Sequence, residues 1–305
     1  RSYSVTGFQT CALPILGTGL GNALIEALIT PLVEDLHPED SGSKMNILHA
    51  FWPIGVLCSV LVIGELLSQG VSWRFMFAGL AVGAFLVFFL YPSSRGIKLK
   101  SSRTDFSHMG EILSKPRFWV LGISLFFAGA AELAFAFWSA SYIQIHFQAL
   151  PRAGALGAAL FALGMAIGRM GSAWLLRRIS LKTLILGSAL VSLAASLTFF
   201  LIDDLPGLYL FMFFMGLTLA CQWPSIQSYA ARVLTVDPTL LMVFLSCFGI
   251  PGASLSTLVM GILGDRYGLR SSFAVAPAFL LFLVIALGIE GRIKEGSRRL
   301  SDRRS

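Results

Sequence analysis

The sequence predicts an all-α, polytopic membrane protein with about nine transmembrane helices. Three observations carry that reading. First, of the 305 residues, 56% are hydrophobic and only 13% are charged; a soluble domain carries about 25% charged residues. The mean hydropathy is +0.78. Second, charges vanish over long windows and cluster in short ones, and a span needs about 20 mostly apolar residues. Third, backbone polar groups in lipid must be satisfied within the chain, which leaves helices or a closed barrel. The alternating ten-residue segments of a barrel are not visible.

The spans follow in order at roughly 16–36, 45–68, 74–92, 117–146, 154–176, 182–202, 206–231, 239–263 and 272–290. Residues 1–15 are set apart as a non-native leader, because "VTGFQTCALPI" (Val5 to Ile15) reads like a translated sequencing adapter. Most connections are short and hold turn or charged residues: "HPEDSGSK", "QGVSWR", "ALPRAG", "RRISLK", "DDLPG" and "DRYGLR". One connection is long, residues 93–115, and carries Arg95, Lys98, Lys100 and Arg103. A basic tail, residues 291–305, adds Arg292, Lys294, Arg298, Arg299, Arg303 and Arg304.

Assigning alternate loops to opposite sides puts about 17 Lys and Arg with the long loop and tail, and about 4 on the other side. Such a bias places the basic side in the cytoplasm. The net charge of +7 therefore reads as membrane orientation and lipid contact rather than nucleic-acid binding. Of Cys11, Cys58, Cys221 and Cys247, none forms a CxxC pair. Three of them fall in apolar runs and read as small hydrophobes. Neither a metal nor a cofactor is called for.

An internal repeat sets the domain plan. "FWPIGVLCSVLVIG" and "FGIPGASLSTLVMG" match at Phe51/Phe248, Gly55/Gly252 and Gly64/Gly261, all with one offset. Beyond them Arg74 and Phe77 align with Arg270 and Phe273 across one gap. Spans four to nine form a six-helix bundle, residues 116–290. Spans one to three, residues 16–92, then correspond to the second part of a first bundle. The linker is residues 93–115, and three helices are expected ahead of the visible ones. Two six-helix halves about an axis along the membrane normal is a known transporter plan.

Residues in three of the spans then resemble a family. "GNALIEALITPLVEDLHPED", "MNILHAFWPIG" and "GMAIGRMGSAWLLRRIS" resemble the major facilitator superfamily, in its fucose-permease and sugar–proton symporter branch. The likeness covers residues 16–290, as helices 4–12 of a 6+6 fold. It departs at Thr30, where the branch often has Asn.

An ionisable group at the bilayer centre costs roughly 2.5–3.5 kcal/mol on insertion scales, so each needs a reason. Glu26 sits mid-span, with Asn22 and Thr30 a turn to either side. It is a candidate proton-binding carboxylate, and the resemblance matches it to the carboxylate that the branch links to proton coupling. Packing is the alternative. Glu132 lies deep in the fourth span near Trp138. In "NILHAFWPIG" an amide, an imidazole and an indole, Asn46, His49 and Trp52, fall at helical spacing. Each is a candidate for the solute or proton site, or a packing group. "ACQWPSIQSYA" offers Gln222, Trp223 and Gln227; amides and an indole suit a hydroxyl-rich ligand. The repeat places Gln222 or Trp223 opposite Glu26. Arg169, toward one end of its span, is expected to gate by pairing with a carboxylate or helix end. Pro224, Pro251 and Gly252 are expected to bend their helices.

The expected function is a proton-coupled secondary transporter of a small polar solute such as a sugar, acting as a monomer in the cytoplasmic membrane. Its partners would be the solute, the coupling proton and the bilayer. A drug or metabolite exporter of the same superfamily is the alternative, and a transport-inactive sensor a remote one. HExxH, GxSxG and a Gly-rich phosphate loop are not found, so no enzyme is expected.

Overall fold

A computed structural model describes residues 5–90, 109–234 and 236–302, with the side chains of 16–26, 28–90, 109–234 and 236–293. Arg95, Lys98, Lys100 and Arg103 of the long loop lie outside the described residues, as do Arg303 and Arg304 and the side chains of Lys294, Arg298 and Arg299. The side chains of the leader, residues 1–15, are outside them as well.

The described chain is helical throughout apart from its connections. The helices are α1 (Val5–Leu36), α2 (Ser41–Ser68), α3 (Trp73–Leu90), α4 (Met109–Leu113), α5 (Pro116–His146), α6 (Pro151–Leu175), α7 (Leu181–Thr198), α8 (Leu205–Leu219), α9 (Gln222–Val233), α10 (Pro238–Tyr267), α11 (Leu269–Ser272) and α12 (Val275–Asp302). Among the described residues nine helical stretches are long and apolar enough to cross a membrane. They fall where the sequence predicts them, with three differences. The first helix runs back to Val5 and has no boundary at residue 16. The seventh span is two helices, α8 and α9, broken at Ala220 and Cys221. The last begins earlier, with the short α11.

Local chemistry explains the helix starts. Pro116, Pro151 and Pro238 each open a helix, where the missing N–H costs nothing. Asp204 accepts from Gly207 N and Asp237 from Leu240 N, both at 2.8 Å, and Ser180 from Thr183 N at 3.1 Å. Each satisfies an amide that the helix itself leaves bare. Gly268, at φ 84°, ends α10 and turns the chain into α11. That left-handed conformation needs glycine.

Helix α5 sits at the centre of the core. Its Phe118, Leu121, Leu125 and Phe135 are fully buried. It packs against α6, α10 and α12. An aromatic knot of Phe135, Phe199, Phe211 and Phe273 closes one end, with Phe199 and Phe273 4.5 Å apart. Helix α2 lies along α6. They approach so closely that a Cβ on Gly64 would overlap that of Ala155. Small residues permit such contact between apolar helices, where packing rather than the hydrophobic effect holds them. Two hydrogen bonds extend the seam: Ser43 Oγ to Ala173 O at 3.2 Å, and Arg152 N to Ser68 Oγ at 2.9 Å. Helices α1 and α3 bury little, and Phe75, Phe85 and Phe88 stand exposed on α3.

Candidate functional site

A cavity of about 770 Å³ lies between α1 and α2 on one side and α5, α6, α9 and α10 on the other. Ligand sites usually fall between about 300 and 1,000 Å³. Four ionisable side chains line it: Glu26, His49, Glu132 and Arg169. Asn22, Trp52 and Trp223 join them, and Leu133, Phe137, Ile250 and Leu258 supply apolar wall.

The polar groups are arranged around Arg169. Its Nη2 donates to Glu132 Oε1 at 3.1 Å. Its Nη1 donates to His49 O at 2.6 Å, and its Nε to Ala220 O at 2.9 Å. The guanidinium also lies 5.7 Å from the centroid of the Trp52 ring, within cation–π range. Glu132 is thus held in a buried, hydrogen-bonded ion pair. Glu26 is in a different position. Arg169 and Glu132 act on it through their charge, and Trp223 lines the same cavity beside it. Its Oε1, however, has no partner, and the carboxyl makes no ion pair among the described residues. The imidazole Nε2 of His49 is also buried without a partner. The cavity therefore holds one compensated carboxylate, one uncompensated carboxyl and one unengaged imidazole.

Trp223 owes its place to glycine. Its ring lies against Gly129 of α5 and Gly249 of α10; a Cβ on Gly129 would stand 2.8 Å from Trp223 Cζ3, and one on Gly249 would overlap the ring. Only at glycine can two helices leave such a slot. Of the two residues expected opposite Glu26, Trp223 lines the cavity.

Four sequence candidates lie outside the cavity wall. Gln222 turns away toward Ser192, at a long 3.4 Å, because one residue rotates a helix by about 100°. Gln227 is fully buried beyond the cavity, and both its amide atoms lack partners. Asn46 donates to Gly42 O at 2.8 Å and to Ser225 Oγ at 3.0 Å, tying α2 to α9 outside the cavity lining. Trp138 faces Gly261 of α10, and its indole N–H is unpartnered. The same rotation makes Phe137 the wall residue, in the series Gly129, Leu133, Phe137. Arg169, expected at a gate, does pair with a carboxylate, but it lies in the cavity wall itself.

The sequence reading missed two groups. Ser254 and Thr257 bring hydroxyls to the wall of α10, each bonded back to its own helix. Away from the cavity, Glu290 of α12 is buried. It receives Lys182 Nζ at 2.9 Å and Tyr229 OH at 3.0 Å, and pairs with Arg117 Nε at 2.9 Å. One carboxylate thus joins α5, α7, α9 and α12. At the last residue of the predicted ninth span, 272–290, it was not singled out.

Known proteins resemble this chain in sequence and in fold. Membrane protein MosC of Rhizobium meliloti is 24% identical over 290 residues, which is 94% of this chain and 68% of that protein. A crystal structure of a variant of FucP, the E. coli fucose:proton symporter, superposes with a TM-score of 0.64. It is 17% identical, and the match covers 87% of this chain and 73% of that one. At that identity the likeness concerns the fold. The family model of the Major Facilitator Superfamily matches residues 5–235. With most of its length matched and its helices arranged in that fold, the chain is a member of the Major Facilitator Superfamily.

Proposed function

We propose that the protein is a proton-coupled secondary transporter of a small polar solute, a sugar in the simplest case. It works in the cytoplasmic membrane by alternating access, with the basic loop and tail on the cytoplasmic side. One observation carries the reading: Glu26 and Glu132, on different helices, share one cavity and the field of a single cation, Arg169. Arg169 compensates Glu132. The charge on Glu26 is the uncompensated one, and a proton on Glu26 removes it. A charge left bare in an apolar cavity opposes closure around the solute. Protonation at Glu26 would therefore permit the loaded carrier to reorient. Trp52 and Trp223 offer faces for a sugar ring, and Asn22 and His49 offer hydrogen bonds. The likeness to a fucose:proton symporter agrees with this coupling.

The test is sugar uptake into proteoliposomes that hold the full-length gene product, with and without an imposed pH gradient. Gradient-driven accumulation should vanish in Glu26→Gln while equilibrium exchange continues. Accumulation at the parent level in Glu26→Gln would overturn the assignment.

The wall of Leu133, Phe137, Ile250 and Leu258 favours a second reading, export of an amphipathic metabolite. Inverted vesicles separate the two, since an exporter would concentrate such a compound in their lumen.

A further inference from the structure

Two of the three hydrogen bonds of Arg169 share an origin that the cavity alone does not explain. In an α-helix the N–H of residue i bonds to the carbonyl of residue i−4. Proline has no N–H, so a proline inside a helical run leaves that carbonyl bare. Pro53 lies inside α2, and the carbonyl it leaves bare is that of His49. Pro224 lies in α9 next to the break after α8, and the carbonyl it leaves bare is that of Ala220. These are the two carbonyls that Arg169 takes, with Nη1 on His49 O and Nε on Ala220 O. The third arm, Nη2, takes Glu132 Oε1. A guanidinium has five N–H donors in a rigid plane. Three of these are committed inside the protein, each on a different part of the chain.

We infer that Arg169 is a positioning clamp whose acceptors are made by two prolines, and that Pro53 and Pro224 act through it as a pair. The turn of α2 that ends at Pro53 and the break between α8 and α9 are fastened to one side chain. The fastening sets the cavity floor. With its carbonyl held, His49 keeps its imidazole at the cavity. With the Ala220 carbonyl held, Trp223 keeps its place one turn on, beside Glu26. Both carbonyls lie in an apolar interior, where an unpaired polar group is costly, so the floor moves as one piece. Arg169 on this view is not a ligand of the solute. The clamp holds whatever the protein transports, and its test needs no transport.

A control is built into the chain. Pro251 lies inside α10 in the same manner, and among the described residues no guanidinium is bonded to the carbonyl it bares, that of Cys247. The experiment uses the protein labelled with ¹⁵N-arginine in detergent micelles. The Arg169 Nε–H signal is assigned by its loss in Arg169→Lys, and its exchange with water is measured. In the parent protein the signal should be protected. In Pro224→Ala the substituted residue gains an N–H that takes Ala220 O, and exchange should quicken by about tenfold, as for loss of one buried bond. Pro251→Ala should leave the rate unchanged, whereas Pro53→Ala, which takes the Nη1 acceptor and loosens the same rigid group, should quicken it by less than Pro224→Ala does. Free exchange in the parent, or equal effects of Pro224→Ala and Pro251→Ala, would overturn the clamp. If Pro224→Ala does not fold, thermal unfolding of Pro53→Ala, Arg169→Lys and their double variant decides. Shifts that do not add support the clamp, and additive shifts overturn it.

Discussion

The Arg169 guanidinium and the Glu132 carboxylate lie 3.1 Å apart with their side chains only 3% and 9% exposed. That burial decides how the pair behaves. A surface pair would contribute at most about 1 kcal/mol, whereas removing one partner of a buried pair costs about 3–5 kcal/mol, because the other charge is left bare. Glu132→Ala is therefore expected to fall in that range. Glu132→Gln keeps an oxygen for Nη2 and should cost less. Unfolding midpoints of the two variants in mild detergent check the order, and equal losses would mean that charge rather than hydrogen bonding dominates.

The knot at Glu290 makes a second contrast. Its side chain is 1% exposed, while that of its partner Lys182 is 38% exposed. Glu290→Ala unpairs Arg117 and Lys182 and leaves the Tyr229 hydroxyl without its acceptor. It should cost about 3 kcal/mol or more. Lys182→Ala removes a half-solvated arm and should stay within about 1 kcal/mol. Proteolysis at the α12 end should quicken in the first variant alone.

Most of the fold was legible because lipid imposes one rule, long apolar helices. The places where the expectation failed are places where period or context, not hydropathy, decides. The break at Ala220 was hidden because the apolar run continues across it, although Pro224 marked it. Glu26, Glu132, His49 and Trp223 could be found because a polar group in a greasy span stands out. Trp138, Gln222, Asn46 and Gln227 stood out for the same reason, yet helix rotation turns them to other neighbours. The carbonyls of His49 and Ala220 follow from proline spacing. Their shared donor is separated from them by 120 and 51 residues, and only the tertiary packing brings it there.

The α2–α6 seam should respond to a single methyl. A Cβ on Gly64 meets that of Ala155 and the Arg152 backbone behind it. Gly64→Ala forces the helices apart, and overpacking of this kind costs about 1–3 kcal/mol. Adding Ala155→Gly returns the missing space. The double variant should recover much of the lost stability in thermal unfolding, and no recovery would show that the close contact is not where the strain arises.

The slot for Trp223 offers a way to separate stability from function. A Cβ at 249 overlaps the indole ring, and the ring cannot retreat toward α5, where Gly129 already lies against it. In Gly249→Ala the indole must therefore swing toward the cavity, into the space beside Glu26. Tryptophan emission should shift, and solute accumulation should fall about tenfold or more if the indole orients the solute or Glu26. Adding Trp223→Phe removes the second ring and with it the clash. Stability should return, since the smaller ring fits the narrowed slot. Accumulation should not return, because phenyl has no N–H to offer Glu26. If accumulation recovers together with stability, Trp223 serves only to fill space, and the polar contact at Glu26 lies elsewhere.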